Sequence, residues 1–296
     1  MFNRPDTTQR VFAEIRNAKP PRLYVAGDGP RTGNSSDISL CGQTRAIIDQ
    51  VDWECQVFTL FREKNLGCKK AVSSAIDWFF GQEEMGIILE DDCLPDPTFF
   101  TYCEVLLNRY ATDKRIVHIG GFNLQNGIKR GAGDYYFSRL THVWGWASWR
   151  RAWENYDVGI KKWEDFKQGG YFNALFPDAG ISSHFLEMME ATYKGAINTW
   201  DYQLHFSNLV QGGLNIIPNV NLISNIGYGS DATHAKKSTD PLANTPVFPL
   251  HEFKAPEFFI PCHEADMYTM RDYLYSGHPL RRMKGGLRRI KNRLKL

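Results

Sequence analysis

The amino-acid sequence predicts an α/β protein in which a mostly parallel sheet is flanked by helices. Short apolar runs alternate with amphipathic stretches through the first half of the chain, at the spacing of strand–helix–strand units. Hydrophobic residues make up 43% of the 296 residues and aromatic residues 14%, which is enough for a sizeable core. Such sheets bind ligands at the carboxyl ends of their strands, so residues that follow predicted strands are the first candidates for a site.

Each element of the first half has a local signal. Val11, Phe12 and Ile15 share one face of a predicted helix, which ends before Pro20-Pro21. The runs RLYVA and MGIIL are typical of buried strands. The predicted elements, in order, are a helix over 7–17, a strand over 22–26, a helix over 43–49, a strand over 56–61, a helix over 66–80 and a strand over 85–89.

The second half is less regular and is rich in aromatic residues and glycine. We expect one domain over 1–279, in which the loop-rich 126–279 follows a more regular 1–125, and a separate tail over 280–296. The predicted elements are a helix running through Trp153, a helix over 182–193, a strand over 216–223 and a loop over 227–261.

The formal net charge of +2 combines two regions of opposite sign. Residues 281–296 hold eight basic residues and no acid, so the remainder of the chain carries a net charge of −6. An acidic body argues against a nucleic-acid partner, because phosphate neutralisation supplies most of the affinity of such proteins.

The tail has an apolar stripe with the period of a helix. Basic residues fill the positions between its members, and a basic amphipathic helix binds an anionic membrane surface. The alternative is a disordered, solvated tail, since Gly285-Gly286 weakens a helix. The members of the stripe are Leu280, Met283, Leu287, Ile290 and Leu294.

Targeting signals and cysteine patterns are absent from the sequence. No apolar run approaches the ~18 residues of a membrane-spanning helix, and the start of the chain lacks the apolar core of a signal peptide. The six cysteines include no C-x-x-C pair. We expect a soluble, reduced, cytoplasmic protein, peripheral on the inner face of the membrane if the tail binds there.

Three consecutive acids follow the last predicted strand of the first half. Glu90-Asp91-Asp92 comes directly after the apolar run MGIIL, where neighbouring carboxylates repel one another unless a cation or hydrogen-bond donors neutralise them. Hard oxygen ligands of this kind suit Mn²⁺ or Mg²⁺ together with a ligand phosphate. The alternative is a solvated acidic turn or a helix N-cap, because Pro95 and Pro97 follow.

The run from Ile87 to Pro95, I-I-L-E-D-D-C-L-P, resembles the acidic motif of nucleotide-sugar glycosyltransferases with the GT-A (Rossmann-like) fold. Its E-D-D form is similar to that of the inverting N-acetylglucosaminyltransferase I group and its bacterial relatives. The resemblance covers roughly 2–235, since further segments agree in order and spacing. These segments are Asn3-Arg4-Pro5, Gly27-Asp28-Gly29, Asn65-Leu66-Gly67, Trp144-Gly145-Trp146 and Trp200-Asp201.

The resemblance implies a UDP-type sugar donor held by the first half of the chain. Asp92 would ligate Mn²⁺ or Mg²⁺, which bridges the donor diphosphate and stabilises the departing nucleotide. Read without the resemblance, Arg4 is a surface residue of the terminus and Asp28 an ordinary turn residue. The positions matched to donor contacts are Glu90 and Asp91 for the ribose and sugar, Arg4 and Asp28 for the nucleotide, and Arg62 for the uracil.

The resemblance also implies an acceptor hydroxyl, on a glycan or glycolipid, that an aspartate deprotonates. Asp201 matches this base, and the neighbouring Trp200 and Tyr202 would withdraw it partly from water. The alternative is that Asp201 caps a helix over 202–209.

Aromatic residues near this aspartate are candidates for stacking on sugar rings. Trp144, Trp146 and Trp149 could stack on sugar faces, and core packing is the alternative for at least one of these three. Trp200 is matched to the acceptor region as well. Gly145, between two tryptophans, indicates a close backbone approach. His234 lies in a glycine-rich segment that resembles a lid closing over the donor, although an isolated loop histidine is more often only solvated.

The chain departs from the family pattern at its start. A buried strand precedes the N-R-P loop in GT-A domains, whereas only Met1 and Phe2 precede it here. We therefore expect the first strand to be missing or reduced to a stub.

The sequence thus favours an inverting, metal-dependent glycosyltransferase, with two alternatives. A sugar-nucleotide pyrophosphorylase or nucleotidyltransferase would need a glycine- and Lys/Arg-rich loop near the first strand, and none is seen. The second alternative is a non-catalytic nucleotide-sugar or glycan-binding module at a membrane. The presence of both Asp92 and Asp201 disfavours this alternative.

Overall fold

A computed structural model describes residues 1–228 and 242–274, and over these residues the chain is an α/β protein built on a mixed five-stranded sheet. The strands are β1 (Arg22–Gly27), β2 (Gln56–Phe61), β3 (Met85–Ile88), β4 (Cys93–Pro95), β5 (Ile116–Gly120), β6 (Tyr135–Ser138), β7 (Trp146–Trp149), β8 (Leu214–Pro218) and β9 (Ile223–Asn225).

The helices are α1 (Pro5–Ala18), α2 (Ser35–Ala46), α3 (Gly67–Phe80), α4 (Thr98–Arg109), α5 (Arg150–Trp153), α6 (Trp163–Gln168), α7 (Tyr171–Leu175), α8 (Ala179–Tyr193), α9 (Asp201–Val210) and α10 (His263–Thr269). A 3₁₀ turn over Ile47–Gln50 continues α2, and a π-helical turn over Met270–Leu274 continues α10.

The described strands form three sheets. The largest has the order β3-β7-β5-β8-β6, β1 pairs with β2 in parallel, and β4 pairs with β9 in antiparallel orientation. Within the five-stranded sheet only β5 and β8 are parallel neighbours. The prediction of a mostly parallel sheet is therefore wrong. The strands β6 and β7 both run opposite to β5 and β8, and the segment that joins β5 to β6 contains no helix of the kind that parallel neighbours need.

Most elements predicted for the first half are confirmed, with β2 and α3 found at or within one residue of their expected bounds. The helix expected over 43–49 begins eight residues earlier, at Ser35, where the Asn34 side chain accepts a hydrogen bond from the Asp37 amide. The strand expected over 216–223 is two strands in different sheets, β8 and β9.

Two groups of buried apolar side chains make up most of the core. One packs α4 against the five-stranded sheet through residues such as Phe99, Leu106 and Ile119. The other lies among α6, α7, α8 and α9 and includes Trp163 and Phe176, both fully buried. Each such side chain contributes roughly 1.5–3 kcal/mol by leaving water. Among the residues described, no helix is both long and apolar enough to cross a membrane.

A buried carboxyl group joins the last helix to the edge of the five-stranded sheet. Asp266 of α10 accepts hydrogen bonds from the Ser138 hydroxyl at 2.5 Å and from the Arg139 amide at 3.1 Å. Burial raises the pKa of Asp266 to about 6, although the Ser138 and Arg139 donors act in the opposite direction.

We predict that Asp266→Asn changes the pH dependence of stability. Because the folded pKa exceeds the unfolded value, the native protein binds the extra proton, so the parent loses stability as the pH rises from about 4 to 7. Relative to the parent, the variant should gain up to roughly 3 kcal/mol over that interval. Urea unfolding at pH 4, 5, 6 and 7 measures this, with the exposed Asp165→Asn as the control. Parallel pH profiles for parent and Asp266→Asn would contradict the prediction.

Candidate functional site

The three acids predicted to mark a site form the turn between β3 and β4. The Cys93 amide donates to the Glu90 carbonyl at 3.1 Å and closes this turn. The pairing of β4 with β9 continues past the strand end, where the Ile226 amide donates to the Asp92 carbonyl at 2.8 Å. The main chain of the acid turn is therefore held by contacts from far along the sequence.

Arg4 neutralises two of these acids. Its guanidinium donates to Asp91 Oδ1 at 2.5 Å and to Asp92 Oδ2 at 2.9 Å. The Phe2 amide donates to the other oxygen of Asp91 at 2.9 Å. The Arg4 carbonyl in turn accepts a hydrogen bond from the Thr8 amide in the first turn of α1. Arg4, which is predicted to contact the nucleotide, therefore lies at the acid turn. The alternative, a surface residue of the terminus, does not fit this position.

The three carboxyl groups differ in their environment. Burial raises the pKa of Glu90, and the charges of Asp92 and Asp91 raise it further. Burial also raises the pKa of Asp92, since it outweighs the effect of Arg4. Burial alone would raise the pKa of Asp91, but Arg4 and the terminal ammonium lower it overall. Arg4 alone thus leaves the turn short of positive charge, and the Glu90 carboxyl group has no hydrogen-bond partner among the described residues.

Asp28 connects the loop after β1 to the start of α3. Its carboxylate accepts hydrogen bonds from the amides of Gly29, Leu66 and Gly67, at 2.9 to 3.1 Å, and from the Asn65 side chain at 2.9 Å. Only the bond from Gly29 belongs to the local turn that was the alternative for Asp28, and the other donors come from a distant segment. Most of the acceptor capacity of Asp28 is thus used by the protein itself.

Arg62 lies on the wall of the cavity beside the acid turn, at the end of β2. Its amide donates to the Gly27 carbonyl at 2.9 Å, and its side chain donates to the Ser74 hydroxyl at 2.6 Å. Arg45 holds the same corner by donating to the carbonyls of Asp28 and Arg62. The position of Arg62 at the cavity is consistent with a ligand contact, while its guanidinium is already oriented by α3.

Asp201 is the first residue of α9, and Trp200 occupies the N-cap position. One carboxylate oxygen accepts hydrogen bonds from the Tyr202 amide and from the Thr199 hydroxyl. The alternative was that Asp201 is the N-cap of this helix. Asp201 is instead the first helical residue, one position after the N-cap. Its second oxygen has no described hydrogen-bond partner.

Cys68, in the first turn of α3, shows that the separate acids converge. Burial raises the pKa of its thiol to about 12, and the charges of Glu90, Asp201, Asp28 and Asp92 all raise it. The loop before α9 is also close to this turn, because a Cβ added to Gly67 would lie 3.3 Å from the Asn198 side chain. Carboxylates from three separate segments thus act on one thiol, and Cys68, Asp28 and Glu90 line the same cavity.

The tryptophans expected to stack on sugars do not share one environment. Trp146 and Trp200 are 1% and 2% exposed, and their rings stack on each other at 5.9 Å within the core. They offer no face to a ligand in this structure, so the core-packing alternative holds for both. Trp144 is half-buried, with its ring 4.5 Å from that of Phe122. It is the one of the three with accessible surface.

Two glycines allow close approaches near the acid turn. Gly145 has φ +61°, and a Cβ there would lie 2.4 Å from Ile223, so the predicted close approach is confirmed and involves the protein core. A Cβ on Gly227 would lie 2.1 Å from Asp92 Oδ2. Gly227 therefore lies directly against the acid turn. His234 itself lies outside the described residues, as does the basic tail over 280–296.

Several residues of the site were not foreseen. Cys68 follows the Asn65-Leu66-Gly67 segment directly, and that adjacency was the available signal. Asp37 had no such signal, because its partner Asn3 is distant in the sequence. Asp37 is fully buried and accepts hydrogen bonds from Asn3 and Arg31. The Arg31 side chain is the main cause that lowers the pKa of Asp37 to about 2.

The residues that could hold a hard cation are Asp92 and Glu90. Asp92 Oδ1 faces only the Cys93 thiol, at 3.6 Å, and the Glu90 carboxyl is unpaired in the described structure. Over residues 1–228 and 242–274, no group of three or more His, Cys, Asp or Glu side chains is arranged to hold a metal ion. These two acids fit a cation whose remaining ligands come from a bound phosphate or water.

No protein-family model matches this sequence, and a search of curated proteins finds no match either. The interpretation of the site therefore depends on its geometry and on the motifs in the sequence.

We predict that Arg4→Met destabilises the protein by roughly 2–3 kcal/mol, because it leaves two largely buried carboxylates without their cation. Adding Mn²⁺ should then raise the melting temperature of the variant more than that of the parent, since Asp91 and Asp92 become free ligands. The control is Arg16→Met in α1. This substitution removes an exposed ion pair between Arg16 and Asp52 and should cause no measurable change. Equal melting temperatures for the two variants would contradict the prediction.

Proposed function

We propose that this protein is an inverting, metal-dependent glycosyltransferase that moves a sugar from a UDP-type donor to an acceptor hydroxyl. The observation that carries the proposal is that Arg4, Asp28, Glu90 and Asp91 line one cavity together with Cys68, and that Asp92 is hydrogen-bonded to Arg4 beside them. This part of the cavity lies at the carboxyl ends of β1 and β3, where α/β sheets bind ligands.

The donor would bind between the acid turn and the loop after β1. Arg4, Asp28, Arg62 and Glu90 all line the cavity there. Arg4 supplies positive charge for a diphosphate, and Glu90 and Asp91 offer acceptors for the hydroxyls of ribose and sugar. Binding requires Arg4 to share its hydrogen bonds between the ligand and the acids that it now contacts.

A bound Mn²⁺ or Mg²⁺ would supply the charge that stabilises the departing nucleoside diphosphate. Asp92 is its proposed ligand, because one of its oxygens is not engaged by Arg4. Glu90 lies beside it in the same turn. The carboxylates hold the cation where negative charge develops on the leaving group.

Asp201 is the proposed base, since its second oxygen is free of described partners and its first is fixed by Thr199 and Tyr202. A fixed carboxylate can accept the proton of the acceptor hydroxyl as that oxygen attacks the anomeric carbon. Trp144 has the accessible surface to stack on a sugar of the acceptor.

The chain segments outside the described residues have proposed functions in the same scheme. The segment that contains His234 would exclude water from the donor, as the resemblance implies. The tail over 280–296 would hold the protein near an anionic membrane and a glycan or glycolipid acceptor.

We predict that Asp201→Asn keeps donor binding and lowers turnover at least about 100-fold, because the amide cannot accept the proton. Asp92→Asn should instead lose the Mn²⁺-dependent part of donor binding. A panel of UDP-sugars with Mn²⁺, scored for release of UDP and for calorimetric binding, measures both effects. Asp165→Asn, in an exposed turn of α6, is the matched control and should behave as the parent.

The same assays distinguish the other functions. Donor binding without turnover in the parent, over a broad acceptor panel, would favour a binding module. Release of pyrophosphate from a sugar phosphate and a nucleoside triphosphate would favour a nucleotidyltransferase. Normal turnover by Asp201→Asn would contradict the proposed mechanism.

A further inference from the structure

The strand β2 has one edge without a partner in the described part of the chain. Within that part it is hydrogen-bonded only to β1, in a register that continues without a bulge over all six of its residues. The edge strand β6 of the five-stranded sheet is partly covered by contrast, since Phe137 forms a bridge with Pro261 and its carbonyl accepts from the Cys262 amide at 2.7 Å. The outer edge of β2 is therefore a row of main-chain donors and acceptors that can pair with another strand.

The main-chain groups on this outer edge belong to every second residue of β2. The Gln56 amide donates to the Pro21 carbonyl and the Arg62 amide donates to the Gly27 carbonyl, both at 2.9 Å. Even-numbered residues therefore direct their amide and carbonyl groups to β1, because these directions alternate along a strand. The residues whose amide and carbonyl groups point outward are Val57, Thr59 and Phe61.

The side chains of β2 do not oppose pairing with another chain. The strand reads Q-V-F-T-L-F and has neither a charged residue nor a proline, the two features by which natural edge strands commonly block such contacts. Val57 and Phe61 are 39% and 36% exposed, and Thr59 between them is exposed as well. Exposed apolar side chains along a free, uncharged edge indicate a protein interface.

The sequence around β2 is complementary to itself in antiparallel orientation. When Thr59 lies opposite Thr59 of a second copy, each Val57 lies opposite a Phe61, so the exposed apolar residues cover one another. The three outward-facing residues then form about six main-chain hydrogen bonds, two for each pair, whereas a shift by one residue would set outward-facing groups against inward-facing ones. The flanking charges agree with this register, because Glu54, two residues before β2, lies opposite Lys64, three residues after it.

We propose that this protein forms a symmetric dimer through the outer edge of β2, with the twofold axis at Thr59. The partner is a second copy of this chain, and the two β1–β2 pairs join into one four-stranded sheet. An interface of one strand and its flanking charges is small, so the dimer is weak and its formation depends on protein concentration. The proposal rests on the strand geometry and is independent of the proposed function.

The dimer would leave both candidate sites uncovered. Arg62, which directly follows β2, lies on the cavity wall near the acid turn. In an antiparallel pair the two β2 strands end on opposite sides of the twofold axis. The two acid turns would therefore lie at opposite ends of the joined sheet.

Sedimentation velocity between about 1 and 300 μM tests whether the full chain dimerises, and we expect the parent to pass from monomer to dimer over this range. Thr59→Lys should weaken the dimer at least about tenfold, because it places two like charges directly opposite each other on the axis. The matched controls are Thr59→Val, which keeps an uncharged β-branched residue, and Thr112→Lys, which adds the same charge in an exposed turn after α4. Both controls should associate as the parent does.

The flanking charges test the register without altering β2. Lys64→Glu should weaken the dimer at least about threefold at low salt, because it sets a like charge opposite Glu54 at both ends of the interface. The double variant Glu54→Lys/Lys64→Glu should restore the affinity of the parent.

Engineered cysteines test the same register by cross-linking. Thr59→Cys should form a disulfide-linked dimer in air, since opposite residues of a hydrogen-bonded pair have Cα atoms about 5.5 Å apart. Val57→Cys and Phe61→Cys should each remain unlinked alone and form a linked dimer when mixed. The parent, with its own six cysteines, is the reference for each reaction.

A parent that remains monomeric up to about 300 μM would overturn the proposal. A dimer that Thr59→Lys does not weaken would also overturn it, because the two copies would then meet elsewhere. Val57→Cys that cross-links to itself as readily as Thr59→Cys would exclude the proposed register and overturn the proposal as well.

Discussion

The ion pairs of Arg4 with Asp91 and Asp92 are the interaction on which the site depends. Three acids in one turn cannot share a recess without compensating charge, and the guanidinium supplies it at a fixed distance from α1. The contact also brings the first residues of the chain against β1, so that Met1 pairs beside Gly27. One side chain therefore determines both the charge of the acid turn and the path of the terminus.

Most elements of the first half follow from local pattern, because each is a complete apolar run or stripe, and Pro20 and Gly81 mark the ends of α1 and α3. The pairing of the second-half strands cannot be predicted from local pattern, since antiparallel or parallel order depends on which distant segments share an edge. The early start of α2 illustrates a smaller failure. Its first turn is polar, Ser35-Ser36-Asp37, and only the cap at Asn34 marks its beginning.

The acid turn was recognisable in the sequence because its three members are consecutive after an apolar strand. Its surroundings were not, since the acids that act on Cys68 lie more than twenty positions away, and Asp37 is held by the distant Asn3 as well as by the nearby Arg31. The expectation that Trp146 and Trp200 contact a sugar was wrong, because a tryptophan packs in a core as readily as it stacks on a sugar ring. Both side chains fill the space between β7, α3 and α9.

That aromatic packing has an optical consequence. Trp200 directly precedes Asp201 and is stacked on Trp146, which also lies 6.2 Å from Trp153. Indole rings at these separations, inclined to each other by 26° and 32°, couple their electronic transitions. The near-ultraviolet circular dichroism of the protein should therefore contain a strong contribution from these three residues. Any event that displaces the start of α9 would alter the geometry of the stack. The protein thus carries a chromophore of its own next to the proposed base, and it can be followed without a label.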